Sequence, residues 1–336
     1  MFLRAWLFLL FVPFLACQRP TPAISFYYWK TTYQVSAADQ QVLAANQVQD
    51  LYLRYFDLDW PPGAKEVSML APVKFGQTPD SNLHIIPVVF IKNRVFLQTP
   101  DTLLAVLAEH VAAAIQSISE TAGIHYREIQ VDCDWTRSTR DNYFKFLTGL
   151  KTKAAVPLSA TIRLHQVKYP VQSGIPPVSR GLLMYYNMGY IADVPENSIY
   201  DEKNAAKYAA AIPDYPLPMD LALPIFSWGI QIRNGKVLHL LNKMNEADFA
   251  QDSMFEKTAT NRYKAKQAGF KSGYYFQEND LVKIEQVSSS NLKEIAEGIR
   301  ANKQYPFQQL IFYDFDARNY NRYEKTIFKD IAAALH

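Results

Sequence analysis

Glu128-Ile129-Gln130-Val131-Asp132-Cys133-Asp134-Trp135-Thr136 alternates apolar and polar side chains between Gly123 and the Ser138-Thr139 pair. Alternation over that length, fenced by turn formers, is the pattern of a buried β-strand. Strand side chains point alternately to opposite faces. Asp132, Asp134 and Thr136 therefore share one face, and Val131, Cys133 and Trp135 the other. Two carboxylates on one face are costly to bury without partners. Either Arg, Lys or hydrogen bonds neutralise them as part of the scaffold, or they belong to a working site. Cys133, on the face away from the acids, reads as core packing rather than as a thiol nucleophile.

Downstream, a helix is expected from about Thr139 to Lys151, burying Tyr143, Phe144 and Leu147. Before the quoted stretch, Leu83–Ile91 is a strand with almost no polar interior, as a strand covered on both faces should be. Thr99-Pro100-Asp101 then starts a helix, with Thr99 as N-cap and Pro100 at the first helical position. Leu103, Leu104, Leu107, Val111 and Ile115 recur along it at helical spacing and read as core. Earlier still come a strand at Ile24–Lys30, a helix pattern at Ala37–Val48 and a strand at Leu51–Asp57, stopped by Pro61-Pro62-Gly63. Strands also occur at Leu158–Leu164, Leu182–Asn187, Leu221–Phe226 and Leu310–Asp314, with helices near Glu202–Ala211, Asn291–Ala301 and Tyr320–Leu335.

Strands alternating with helices in this way predict an α/β fold, a (β/α)8 TIM barrel, as a single domain over residues 24–336. One insertion interrupts it. Gln231–Leu238 is a hairpin signal centred on Asn234-Gly235, opening a polar insertion of about residues 229–290 after strand seven.

In such barrels the C-terminal strand ends form the active face. The polar and aromatic residues expected there begin with Trp29, Asp57 and Asp59, then Asp132 and Asp134. Arg163, His165, Tyr186 and Asn187 come next, and Ser227, Trp228, Asp314 and Asp316 complete the set. Acids from several strands with Trp and Tyr between them are the composition of a sugar site. No Gly-rich loop is present to cradle phosphate. The six histidines form no His-x-His or His-Glu-x-x-His pair, so neither a metal nor another cofactor is expected. Ser227 lies in no Gly-x-Ser-x-Gly elbow and reads as a hydrogen-bonding residue of a cleft rather than a nucleophile.

Hydrophobic residues make up 49% of the 336 and charged residues 20%, enough for a large core. Lys+Arg 35 against Asp+Glu 32 leaves +3 with no basic stripe, which argues against nucleic acid as a partner. At the N-terminus, Arg4 precedes an apolar run from Ala5 to Leu15, too short to span a bilayer and broken by Pro13. Residues 1–16 therefore read as a secretory signal. The ending Phe14-Leu15-Ala16-Cys17 resembles a bacterial lipoprotein signal, with Phe14 where Leu is usual. That resemblance implies lipidation at Cys17, a tether over residues 17–23, and an exported, membrane-anchored protein of the cell envelope. Cys133 is the other cysteine; with Cys17 acylated, no disulfide forms.

Three segments, in order and on the expected strands, resemble the chitinase-like glycoside hydrolases. Asp132-Cys133-Asp134-Trp135 resembles the family's Asp-x-Asp-Trp-Glu on strand four. Met184-Tyr185-Tyr186-Asn187 resembles its Met-x-Tyr-Asp on strand six. Leu223–Gly229 resembles its Leu-Pro-Phe-Tyr-Gly on strand seven. The likeness implies that Asp134 orients an oligosaccharide with Asp132 behind it, and that Tyr186 hydrogen-bonds the reacting sugar. It also implies a general acid at the position of Thr136, which cannot protonate a leaving oxygen. Asn187 likewise replaces an Asp, and the family's strand-eight Trp has no counterpart in Leu310–Asp316.

Three readings remain open. Asp59, Asp314 or Asp316 supplies the acid from a neighbouring strand; the barrel binds glycans without cleaving them; or the acids are structural, bonded to Arg163 and Lys residues within the barrel. The chain also resembles bacterial lipoproteins with chitinase-like barrels, from which no activity is carried over.

Overall fold

The hydrophobic runs of the chain pair side by side until the first meets the last. In the computed structural model, which describes residues 21–301 and 307–335, eight parallel strands form a closed barrel. They are β1 (Ala23–Tyr28), β2 (Asp50–Asp59), β3 (His84–Ile91), β4 (Ile129–Asp132), β5 (Leu158–Arg163), β6 (Arg180–Met184), β7 (Met219–Pro224) and β8 (Gln309–Tyr313). Closure is visible at β1, which pairs Ile24 with Leu310 of β8 on one side and Phe26 with Leu51 of β2 on the other. Phe26, Phe312 and Phe328 pack behind that seam with ring centroids 4.7–5.7 Å apart. Each such ring contributes roughly 1.5–3 kcal/mol by leaving water, so the seam is stabilised by side chains as well as by the ladder. The fold is thus the (β/α)8 barrel expected from the alternation.

Helices cover β1, β3, β4 and β6 through β8: α1 (Ala37–Ala45), α2 (Leu104–Thr121), α3 (Arg140–Ala154), α4 (Glu202–Ala209), α5 (Ser289–Ala301) and α6 (Ile327–Ala334). Two units depart from strict alternation. After β2 the prolines lead into Ser68–Leu70, which runs antiparallel to the end of β2, and no helix intervenes before β3 among the described residues. After β5 the helix is broken by Pro170 into Leu164–Lys168 and Pro170–Ser173. Along α2, Leu104, Leu107, Val111 and Ile115 are buried as expected. Leu103 is exposed, because it ends the 3-10 turn that precedes the helix.

The strand expected to run to Thr136 stops earlier. β4 ends at Asp132, its last ladder partner being Phe90 of β3. The chain beyond is held by the segment after β5: Trp135 Nε1 donates to the Ser173 carbonyl at 2.8 Å, and Gln166 Nε2 donates to the Trp135 carbonyl at 3.2 Å. The alternation survives without the ladder. Cys133 and Trp135 are buried, while Asp134 and Thr136 are exposed.

Between β7 and α5 the insertion folds as an antiparallel sheet. Its five strands lie in the order Lys236–Asn242, Ser227–Arg233, Leu281–Gln286, Arg262–Ala265, Phe255–Ala259. Asn234 and Gly235 both take positive φ, 51° and 72°, the geometry that a two-residue hairpin turn requires. The sheet has its own core, with Phe249, Phe255, Tyr263 and Phe276 packed around Leu241 and Val282. The signal segment and Cys17 lie outside the described residues.

Candidate functional site

The C-terminal ends of β4 to β7, the loop after β6 and the start of the insertion surround an open cleft of about 590 Å³. Asp134, Arg163, His165, Asn187, Ile191 and Trp228 are among its walls. Asp134 is half exposed, and the Arg163 guanidinium grips it with two parallel bonds. One runs from Nη2 to Oδ2 at 2.7 Å and the other from Nε to Oδ1. Burial alone lowers the Arg163 pKa, but the charge and hydrogen bond of Asp134 carry it above its ordinary value. Asp132 lies beneath, buried, accepting from Thr161 Oγ1 at 2.7 Å. Burial, and then the neighbouring Asp134 charge, push its pKa up to about 6.

Beside this lining an aromatic cluster packs at the C-terminal ends of β1, β6, β7 and β8. Tyr186 stacks on Tyr313 at 5.6 Å and 21°, while Tyr27, Trp29 and Phe226 meet Tyr313 edge-on at 5.5–5.6 Å. Burial, reinforced by Tyr313 and Asp132, raises the Tyr186 pKa well above its ordinary value, so the phenol stays protonated. Its hydroxyl has no protein partner. His165 is pulled below its ordinary value by burial and by Arg163, which leaves it neutral at pH 7. Tyr313 was not among the expected site residues. It closes β8 directly before Asp314, so strand-end position was the available signal, and it supplies an aromatic ring where the resemblance found no Trp.

Thr136 is exposed but engaged. Its Oγ1 lies 2.9 Å from Ser138 Oγ, and its backbone N–H donates to Thr139 Oγ1 at 2.9 Å, a turn that opens α3. Asn187 takes a positive φ of 56° at the foot of the loop after β6. Ser227 is buried with its hydroxyl unpartnered. Trp228 is half-buried, its Nε1 donating to Glu285 at 2.9 Å. Glu285, on the insertion, has no sequence signal linking it to the cleft. Pairing across the sheet brings it there.

The other expected acids do not line the cleft. Asp59 is bound by Arg94 and by Lys92 at 2.7 Å, and these hydrogen bonds hold its carboxyl well below the usual carboxylate range. Asp57 accepts from Arg54 at 2.8 and 2.7 Å. Asp316 is held by Lys243 at 2.8 Å and Lys30 at 3.2 Å. Burial works against ionisation there, yet the bonds from the Lys243 ammonium and the Arg318 backbone N–H keep the Asp316 pKa lowered. Asp314 is raised by burial, with Lys243 at 3.6 Å opposing and Asn319 donating to it. Each acid offered as a relocated proton donor is therefore already bound to cationic or amide side chains, and Asp134 is the carboxylate among the described residues lining the cleft.

By sequence the chain matches no family profile and no curated protein. Its fold matches many solved structures. The spore cortex-lytic enzyme SleL of Bacillus megaterium aligns over 96% of this chain and 76% of its own, at 10% identity and a TM-score of 0.56. SleL of Bacillus cereus aligns over 94% and 74%, at 11% identity and 0.53. A GH18 chitinase variant from Cycas revoluta, in complex with (GlcNAc)4, aligns over 93% and 99%, at 11% identity and 0.51. The chain has the chitinase-like (β/α)8 barrel fold. Within that class its own features are the Arg163-clamped Asp134 and the threonine at position 136.

Proposed function

We propose that this protein is a glycan-binding barrel that holds an N-acetylglucosamine-containing oligosaccharide, of the chitin or peptidoglycan kind, in the cleft without hydrolysing it. The observation that carries the reading is the bidentate Arg163–Asp134 pair in the wall of the cleft, with Thr136 rather than an acid also lining it. Glycoside hydrolysis needs one carboxyl to give a proton and a second group to stabilise the sugar cation. A carboxylate tied to guanidinium and a hydroxyl tied into a turn supply neither. What remains suits recognition: Trp228 for stacking, and Asn187, His165 and the outer edge of Arg163 for hydroxyl and acetamido groups. That chitin and cortex-lytic barrels share the fold supports this choice of ligand class.

We further propose that the chain is a lipoprotein anchored through Cys17. β1 starts at the N-terminal end of the barrel, and residues 17–22 reach about 20 Å at most. The cleft, at the opposite end, then faces away from the bilayer.

Calorimetric titration of the full chain with chitotetraose and with muropeptides, beside Trp228→Ala, tests the first proposal. We expect saturable binding to at least one of them, weakened about tenfold or more in the variant, with the sugar recovered intact. Cleaved product would overturn it. Loss of membrane association in Cys17→Ser is the expected result for the second, and retention would refute it.

A further inference from the structure

We infer that Glu285, a buried carboxylate of the insertion, is a positioning residue that sets two walls of the cleft at once. Lys283 and Glu285 are two apart on Leu281–Gln286, so both project from the same face of the sheet. They are 1% and 0% exposed, and Lys283 Nζ lies 2.5 Å from Glu285 Oε1. The remaining bonds of the pair reach outward. Lys283 Nζ donates to the Glu196 carbonyl at 2.6 Å. Glu285 Oε2 accepts from Trp228 Nε1 at 2.9 Å and from Ser198 Oγ. Asn197 Nδ2 adds a bond to the Gln286 carbonyl at 2.9 Å.

Both Ser198 and Trp228 line the cleft, one from the loop after β6 and the other from the insertion. Trp228 stands directly across the ladder from Glu285 and packs on Phe226 at 5.1 Å, which in turn meets Tyr313 at 5.6 Å. One carboxylate oxygen therefore fixes the plane of the indole and the position of the facing loop.

Burying such an ion pair is expensive, and an apolar pair of similar size packs at least as well. Only a carboxylate accepts from an indole N–H and a hydroxyl together while being held by an ammonium group. A stacking ring contributes most when its plane is already set before the ligand arrives. Gly189 completes the arrangement: a Cβ there would come within 3.1 Å of the Ser198 backbone, so the loop closes tightly onto the segment that Glu285 grips. The ligand in this inference rests on the glycan-binding reading; the positioning itself does not.

The test uses the full chain and two readouts. The first needs no ligand: hydrogen exchange of the Trp228 indole proton, assigned by its loss in Trp228→Phe. We expect slow exchange in the wild type and exchange faster by about tenfold or more in Glu285→Met, which has no acceptor for the indole N–H. Because that variant strands Lys283, Glu285→Met with Lys283→Met is measured beside it, and the same acceleration is expected in a chain free of the buried unpaired charge. The second readout is the Kd for chitotetraose. Glu285→Met and Trp228→Phe should each weaken binding roughly tenfold, with the double variant losing less than the two losses combined, because both remove the shared Trp228–Glu285 bond. Unchanged indole exchange in both Glu285 variants overturns the positioning role. Faster exchange with a wild type that binds no glycan upholds the positioning role and discards the glycan.

Discussion

The two ends of the barrel carry the same kind of chemistry and put it to different use. At the cleft end, Asp132 of β4 lies under the Asp134–Arg163 pair; at the other end, Asp220 of β7 lies 3.2 Å from Arg180, which also binds Glu128 at 2.7 Å. Burial raises both Asp132 and Asp220 to about 6. The difference is access. Asp220 is sealed under Arg180 and the Gln309 backbone, which donates to it at 3.0 Å, whereas the Asp134–Arg163 pair stands in an open cleft with Trp135 and Trp228 in its walls. Acids and arginines alone do not mark a site. Solvent access and aromatic neighbours do.

Stability should separate the two ends most strongly. Arg180→Met leaves Glu128 and Asp220 without their cation and should cost about 3–5 kcal/mol. Arg163→Met exposes a carboxylate that is already half in water and should cost about 1 kcal/mol or less. Urea unfolding of both variants measures the gap, and equal losses would erase the contrast.

A second variant tests the contrast from the side of function. With Thr136→Glu supplying an acid and Arg163→Met releasing Asp134, new reducing ends should form from chitotetraose at least about 10²-fold faster than with the parent. Thr136→Glu alone, with Asp134 still clamped, should remain near background. Turnover by that single variant would show that the clamp does not matter.

pH separates the ends next. A carboxyl raised in the folded chain holds its proton from the ordinary 3.8 up to about 6, a range in which the unfolded chain has released it. Stability from this source is therefore full below the ordinary value and lost as pH rises through about 6. Asp132→Asn and Asp220→Asn should each flatten that fall, by up to roughly 2–3 kcal/mol. Asp59 acts with the opposite sign: its contribution is present above the ordinary value and lost only as pH falls toward its lowered pKa. Thermal melts from pH 4 to 8 check the sign. Chitotetraose affinity should change with pH differently in Asp132→Asn and remain as in wild type in Asp220→Asn.

A still smaller change is expected away from both ends. Gly235→Ala, at a φ of 72° with nothing within 4 Å of the added carbon, should cost about 1 kcal/mol of backbone strain and leave glycan binding unchanged. Thermal melts and the chitotetraose Kd of this variant check both halves of that expectation.

The barrel was legible in the sequence because its strands are long apolar runs between turn formers, and the insertion because Asn234-Gly235 permits little besides a tight hairpin. The missing helix after β2 was not, since Pro61-Pro62-Gly63 marks a stop and carries no signal for the element beyond it. At the cleft, parity correctly separated Asp134 and Thr136 from Cys133 and Trp135, even though the ladder ends at Asp132. Pairing was legible only in part. Arg163 stood as a candidate partner of the acids and does bind Asp134, but that Lys243 binds Asp314 and Asp316 and that Glu285 reaches Trp228 are contacts between residues 57 to 73 positions apart, set by strand order and by the docking of the insertion. Arg180, Glu128 and Asp220 escaped notice for the same reason, each looking in sequence like an ordinary strand-start charge.

The most direct measurement is a proton NMR time course of the full chain with chitotetraose, which reads binding from line broadening and cleavage from new anomeric signals in one sample. We expect broadened sugar lines, relieved in Trp228→Ala, and an anomeric region unchanged over days. New reducing-end signals that grow with the wild type and vanish in Asp134→Ala would contradict the glycan-binding barrel and make the protein a hydrolase. Sharp lines throughout would remove chitooligosaccharide as its ligand.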